Sequence, residues 1–279
     1  MTTPPARTRR FDLRRLYTAA ALIPAVYVII AHLAPWALTL LLIAVGSIAL
    51  LELYRLGFQS RLNRLLVGVG MATFVLVLTR SHFSFSLVEL LIAASLILAV
   101  AVSFLSGTID RRWKDALSIL FGVFYVGFPL STVVSTRSLP AGEFLVLFLA
   151  VVTWASDAGA YYAGTLWGKH PLLPSVSPKK TVEGVLGGLA LAISVAVLAQ
   201  WFASQLSLWD SLILGVLLTG AGLLGDLFES AIKRRTGVKD SGGILPGHGG
   251  MLDRLDSLLF TAPTFYYYVA YVRDLSPPL

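Results

Sequence analysis

The strongest constraint on this sequence lies in the gaps between its charges. Residues 16–51 contain no Asp, Glu, Lys or Arg. That is room for two membrane-crossing helices of about 20 residues each, turning at Ala34-Pro35. Further apolar runs lie at 65–79, 87–105, 116–136, 144–167, 184–206, 209–228 and 257–272. The expectation is nine spans. The runs at 65–79 and 257–272 are short and must borrow flanking residues or tilt less. Pro24, Pro129 and Pro263 fall inside runs, where neighbouring helices satisfy freed backbone groups and a packing kink is tolerated. Only 13% of the 279 residues are charged and 56% are apolar, with a mean hydropathy of +0.78. A soluble domain carries about 25% charged residues, and a disordered chain is polar and poor in aromatics. The absence of cysteine excludes a disulfide framework, cysteine-ligated zinc and a thiol nucleophile. The expected fold is an all-α polytopic integral membrane protein.

Orientation follows from the cations. Cytoplasmic loops carry the excess of Lys and Arg. With nine spans and a cytoplasmic N-terminus, all but three of the 22 Lys and Arg residues fall on the cytoplasmic side, the exceptions being Arg80, Arg137 and Arg273. Merging or adding a span would break this alternation. The C-terminus is then on the opposite side. Thr8-Arg9-Arg10-Phe11 before the first apolar run reads as a cytoplasmic anchor rather than a twin-arginine export signal, because a second span follows at once.

Acids beside a membrane span are costly and usually have a functional partner. Asp226 and Glu229 end the eighth span, and Asp253 and Asp256 open the ninth. Each pair is spaced i, i+3, which sets both carboxylates on one helical face. Such pairs can serve as helix-end ion pairs, and acids at the start of the ninth helix suit its dipole. Here the two pairs flank one loop, Lys233 to Gly250, which opens with four cations and holds five glycines between Gly242 and Gly250. Glycines let backbone N–H groups converge on an anion, and hard oxygen ligands near phosphates suit Mg²⁺. The combination points to a metal-assisted polyphosphate site. Asp157, within Ser156-Asp157-Ala158-Gly159-Ala160-Tyr161, reads equally as a buried hydrogen-bonded acid or as the wall of a polar cavity.

Two patterns are decoys. Gly220-Ala221-Gly222-Leu223-Leu224-Gly225 matches GxGxxG, but it lies inside an apolar run with no preceding strand. Close helix packing through small residues explains it. The four histidines are scattered singly, and only His248 lies in the suspect loop.

The stretch Ser230–Asp256 reads S-A-I-K-R-R-T-G-V-K-D-S-G-G-I-L-P-G-H-G-G-M-L-D-R-L-D. It resembles throughout the signature of phosphatidate cytidylyltransferases (CDP-diacylglycerol synthases). Ser177–Gly184 is similar to that family's S-P-K-K-T-x-E-G, and Ser156–Tyr161 to its D-[TS]-x-A-Y, with Ala158 in place of the usual Thr. The resemblance divides the single membrane domain into a variable scaffold, 1–142 with spans one to five, and a catalytic part, 143–279. The latter holds spans six to nine and the cytoplasmic loops 168–183 and 230–256.

The resemblance implies that CTP and phosphatidic acid react to CDP-diacylglycerol and pyrophosphate with Mg²⁺, at a metal centre on Asp226 and Asp253 that K⁺ can share. Glu229 and Asp256 are candidates for further ligands. Lys233, Arg234, Lys239 and Arg254 are candidate phosphate clamps, and Lys179 and Lys180 meet either the triphosphate or the lipid phosphate. Gly247, His248, Gly249 and Gly250 would approach the nucleotide, and Asp157, Ser230 and Asp240 complete the substrate-binding set. The expected setting is a bacterial inner membrane with the site facing the cytoplasm, with no nucleic acid partner and with a homodimer as a candidate assembly. A CTP-dependent polyprenol kinase, a prenyl-ether-lipid cytidylyltransferase and a cation-coupled transporter are the alternatives. The absence of a visible repeat and the gathering of acids at one interface weigh against a transporter.

Overall fold

The structure is a computed structural model that describes residues 24–57, 64–83, 85–104, 109–202, 205–238, 240–242 and 249–275. Arg7 to Arg15, much of the first span, Arg61, Lys239, Gly247 and His248 lie outside them. The chain runs through α1 (24–31), α2 (Pro35–Gly57), α3 (Arg64–Thr79), α4 (Phe85–Phe104), α5 (Ile109–Gly122), α6 (Phe128–Arg137) and α7 (Gly142–Trp167). It continues through β1 (Pro171–Leu173), β2 (Ser177–Thr181), α8 (Val182–Ala199), α9 (Leu208–Arg235) and α10 (Leu252–Tyr267).

Seven helical stretches among the described residues are long and apolar enough to cross a membrane: Pro35–Gly57, Arg64–His82, Leu87–Phe104, Trp113–Arg137, Gly142–Trp167, Val182–Phe202 and Leu208–Arg235. The short third run borrows residues on both sides, as its length required. The last run belongs to α10, which a π turn at Tyr268–Val272 extends. Large apolar side chains on several of these helices, among them Leu90, Ile97, Phe124 and Leu224, are exposed. Water would penalise such a surface, whereas acyl chains would not.

The all-α expectation has one exception. Within 168–183 an antiparallel hairpin pairs Pro171 with Thr181 and Leu173 with Ser177. Thr181 then caps α8, its hydroxyl accepting from Gly184 N at 3.1 Å. Helices α5 and α6 form one continuous rod through a π turn at Val123–Gly127. Pro129 has no N–H to offer the preceding turn, and the ladder widens just before it, with Phe128 N bonding to Val123 O.

Glycine sets the closest approaches. A Cβ on Gly159 of α7 would sit 2.6 Å from Gly187 O of α8, and one on Gly188 would sit 2.8 Å from Ser156 O. The two backbones therefore touch, as small-residue seams allow in membranes. Gly222 and Gly225, from the GxGxxG decoy, face Ser257, Thr261 and the Asp256 carbonyl of α10. Packing is thus what Gly222 and Gly225 do, while Gly220 faces open space.

The two ends of the bundle differ in chemistry. At one end Arg137 pairs with Glu143 at 2.6 Å, and Arg273 with Asp210 at 3.2 Å. Tyr268 donates to the same Asp210 at 2.8 Å. Two of the three cations that break the positive-inside count are thereby neutralised. The other end gathers the C-termini of α2, α7 and α9 and the N-termini of α8 and α10.

Candidate active site

Four helices and the hairpin enclose a cavity of ≈ 510 Å³ at that second end, and Asp157, Lys179, Lys180, Asp226, Asp253 and Asp256 are among its lining residues. The six residues arrive on four elements. Asp157 comes from the middle of α7, and Lys179 and Lys180 from β2. Asp226 stands on the last turns of α9, and Asp253 and Asp256 on the first turns of α10. The cavity floor is polar, with Ser156 Oγ donating to Thr219 Oγ1 at 3.3 Å and Ser257 Oγ to Asp157 Oδ1 at 3.3 Å. Asp157 is therefore both hydrogen-bonded and part of a cavity wall.

The acids are matched to lysines. Lys180 Nζ lies 2.7 Å from Asp226 Oδ2, and Ser230 Oγ donates to Asp226 Oδ1 at 3.4 Å. Lys233 Nζ lies 3.2 Å from Glu229 Oε2, one helical turn away, and also contacts Asp253 Oδ1. Glu229 is fully buried, and neither of its carboxylate oxygens meets hydrogen-bond geometry with a donor.

Asp253 is the most heavily held of the set. Its Oδ2 accepts from Ser241 N at 3.1 Å, Ser241 Oγ at 3.0 Å and Gly250 N at 2.9 Å. These three donors, with the Lys233 ammonium beside Oδ1, favour the charged carboxylate. Gly249, at φ +77, makes the turn that brings Gly250 N onto it.

The four expected metal-binding carboxylates do not close around one point. Among the described residues no three of the His, Asp and Glu side chains converge closely enough to hold an ion by themselves. Lys180 pairs with Asp226, and Lys233 is shared between Glu229 and Asp253. The donor set nevertheless fits Mg²⁺, which takes one or two carboxylates and completes its shell with water and substrate phosphates. Asp226 and Asp253 supply two hard oxygen donors on one cavity.

Other candidates are dispersed. Arg234 Nε donates to Val176 O in the hairpin turn at 3.4 Å, fastening α9 to the hairpin. Asp240 is exposed. Arg254 lines a second, largely apolar cavity of ≈ 180 Å³ that shares Asp157 and Ser257 with the first. Sequence reasoning missed Ser241, Ser257 and Glu52. Glu52, near the end of α2, is fully buried, and its Oε2 accepts from Leu252 N at 2.9 Å and Ser241 Oγ at 3.1 Å. The available signal was an acid ending a long charge-free run, which served only to mark the end of a span. Glu183 was missed too. It accepts from the N–H groups of Lys169 and His170 at 3.1 and 3.2 Å and contacts His170 Nδ1 at 2.5 Å, bracing the hairpin.

A family model described as the cytidylyltransferase family matches residues 13–272. The chain belongs to the cytidylyltransferase family. It is 34% identical over 267 residues to the phosphatidate cytidylyltransferase of Bacillus subtilis (strain 168), covering 93% of this chain and 98% of that protein. Over 152 residues it is 47% identical to the phosphatidate cytidylyltransferase of Staphylococcus saprophyticus and 45% to that of Staphylococcus haemolyticus, covering 54% of this chain and 58% of each relative. The family match takes in all the described carboxylates and lysines of the cavity.

Proposed function

We propose that this chain is a phosphatidate cytidylyltransferase, which joins CTP and phosphatidic acid to give CDP-diacylglycerol and pyrophosphate. The observation that carries the reading is the polar cavity at one end of the bundle, lined by Lys179, Lys180, Asp226 and Asp253. Family membership and the B. subtilis relative's near-complete coverage support it.

A phosphate oxygen of phosphatidic acid forms the new bond to the α-phosphorus of CTP, and the bond from that phosphorus to the β-phosphate oxygen breaks, releasing pyrophosphate. A phosphomonoester has a second pKa of about 6, so the attacking oxygen is already largely ionised near neutrality. No strong general base is needed. The barrier lies in bringing two polyanions together, so positioning and charge neutralisation dominate. Lys179 and Lys180 present cations from the hairpin, and Lys233 adds one beside Asp253. Asp226 and Asp253 would hold Mg²⁺, with Glu229 and Asp256 behind them and K⁺ as a second ion. When bound, the metal supplies positive charge to phosphate oxygens. Lys239 and the backbone of Gly247, His248 and Gly249 would meet the nucleotide, with His248 donating to phosphate.

The finer topology is part of the same reading. Nine spans, a cytoplasmic N-terminus and an outer C-terminus set this cavity at the cytoplasmic face of a bacterial inner membrane, where CTP is available. The division into a scaffold, 1–142, and a catalytic part, 143–279, belongs to it as well, as does assembly into a homodimer.

The test is Asp226→Asn and Asp253→Asn with CTP, phosphatidic acid and Mg²⁺. Loss of a group that merely supports a ligand costs about 10–100-fold, so these variants should each lose more than about 100-fold. Near-wild-type turnover in both would sink the metal assignment. Release of CDP rather than pyrophosphate would replace the transferase by a kinase.

A further inference from the structure

Glu52 stands apart from every other acid in the chain. It comes from α2, in the half of the molecule that the signature does not reach, yet it meets both ends of the glycine-rich segment. At the near end Ser241 Oγ lies 3.1 Å from Glu52 Oε2 and 3.0 Å from Asp253 Oδ2, so its single proton can serve either carboxylate. At the far end Leu252 N donates to the same Oε2 at 2.9 Å, fixing the first residue of α10. The other oxygen, Oε1, is buried with no hydrogen-bond partner. A methyl group on Gly242 would fall on this carboxylate, and one on Gly250 would lie 2.7 Å from its Oε2. Two glycines that read in sequence as phosphate-cradling are thus needed for another reason. They leave room for a carboxylate from a distant helix.

We propose that Glu52 is the positioning residue of the site, clamping both ends of the 241–252 segment so that Asp253 is held at the geometry required for the metal and triphosphate. The inference rests on the reading of Asp253 as a metal ligand. A fully buried carboxylate whose loss would leave Leu252 N unpaired and Ser241 Oγ with Asp253 alone is costly to keep without such a role. The bond partners follow from chemistry. From α2, the Glu side chain sets one acceptor oxygen within reach of both donors. Outer partners of metal ligands act in this way, orienting the ligand rather than touching the ion.

The experiment uses the full-length protein in detergent or proteoliposomes. Glu52→Ala should raise the Mg²⁺ concentration for half-maximal rate and lower kcat by about 10–100-fold together, with KM for phosphatidic acid unchanged. Glu52→Gln keeps an acceptor and should restore most of the rate. Amide exchange at Leu252, read without substrate, should quicken by about tenfold or more in Glu52→Ala. Gly242→Ala should be damaging alone and partly relieved when combined with Glu52→Ala, since the clash partner is then gone. Should Glu52→Ala fail to fold, Ser241→Ala reads the same clamp and should also raise the Mg²⁺ requirement. A wild-type Mg²⁺ requirement with unchanged exchange at Leu252, or equal damage from Gln and Ala, would overturn the proposal. If Asp253→Asn keeps full activity while Leu252 exchange does quicken, the clamp stands and the metal reading fails.

Discussion

Lys233 is the cation whose removal has the most calculable result. Its ammonium sits between Glu229, 3.2 Å away and fully buried, and Asp253. Replacing it with Met keeps the length of the side chain and removes the charge. Glu229 is then a buried carboxylate with no donor, because no hydrogen bond reaches either oxygen. Breaking a buried pair by removing one partner costs about 3–5 kcal/mol. Lys233 is 13% exposed, and Glu229 can take up a proton, so the lower figure of about 3 kcal/mol applies. For a chain of this size about 1 kcal/mol moves the midpoint by about 2–4 °C, giving a fall of about 6–12 °C. The assay is heating in detergent followed by fluorescence-detected size exclusion, with cytidylyl transfer measured on the surviving protein. Adding Glu229→Gln to Lys233→Met should recover most of the midpoint but not the activity, which needs the cation beside Asp253. A Lys233→Met midpoint within about 2 °C of wild type would refute the reasoning. So would a second substitution that adds to the damage.

The hairpin lysine should behave differently. Lys180→Gln removes the 2.7 Å partner of a partly exposed Asp226, so stability should change by no more than about 1 kcal/mol, while KM for CTP or for phosphatidic acid rises. Steady-state kinetics with each substrate varied would detect it, and two unchanged KM values would remove Lys180 from the clamp. Gly159→Val puts side-chain atoms where Gly187 O now lies, so α7 and α8 should part, and both the thermal midpoint and the activity should fall. Wild-type behaviour in both readouts would contradict the seam. Glu183→Gln should loosen the hairpin through Lys169, His170 and the turn; faster amide exchange at His170 with an unchanged global midpoint is the expected signature.

The membrane architecture was legible because charge is scarce. Each apolar run in the described residues became a helix, and two of the three cations outside the rule, Arg137 and Arg273, proved to be paired with Glu143 and Asp210. That Asp226 and Asp253 share one cavity was legible because both stand near helix ends flanking one loop. Their counterions were not. Helical spacing says which residues share a face, but it does not say that Lys180 crosses from a strand to reach α9. The hairpin was missed because Ser177-Pro178-Lys179-Lys180-Thr181 has neither alternation nor β-branched content beyond one residue. Glu52 and Ser241 are 189 positions apart, and only tertiary packing brings them together.

The pairing of Glu229 with Lys233 also bears on how the chain enters the bilayer. A lone Asp or Lys at mid-helix opposes insertion by about 2.5–3.5 kcal/mol. These two lie on the same helix one turn apart, so α9 carries its own neutralising pair before any neighbour has packed. Asp226 has its partner waiting, since Lys180 precedes it in the chain and is synthesised first. Asp253 comes last, and by then Lys233, Ser241 and Glu52 have all been made. Asp226, Glu229 and Asp253 therefore each emerge from the ribosome after, or within four residues of, the lysine that pairs with them, so none of these three waits in lipid without its counterion.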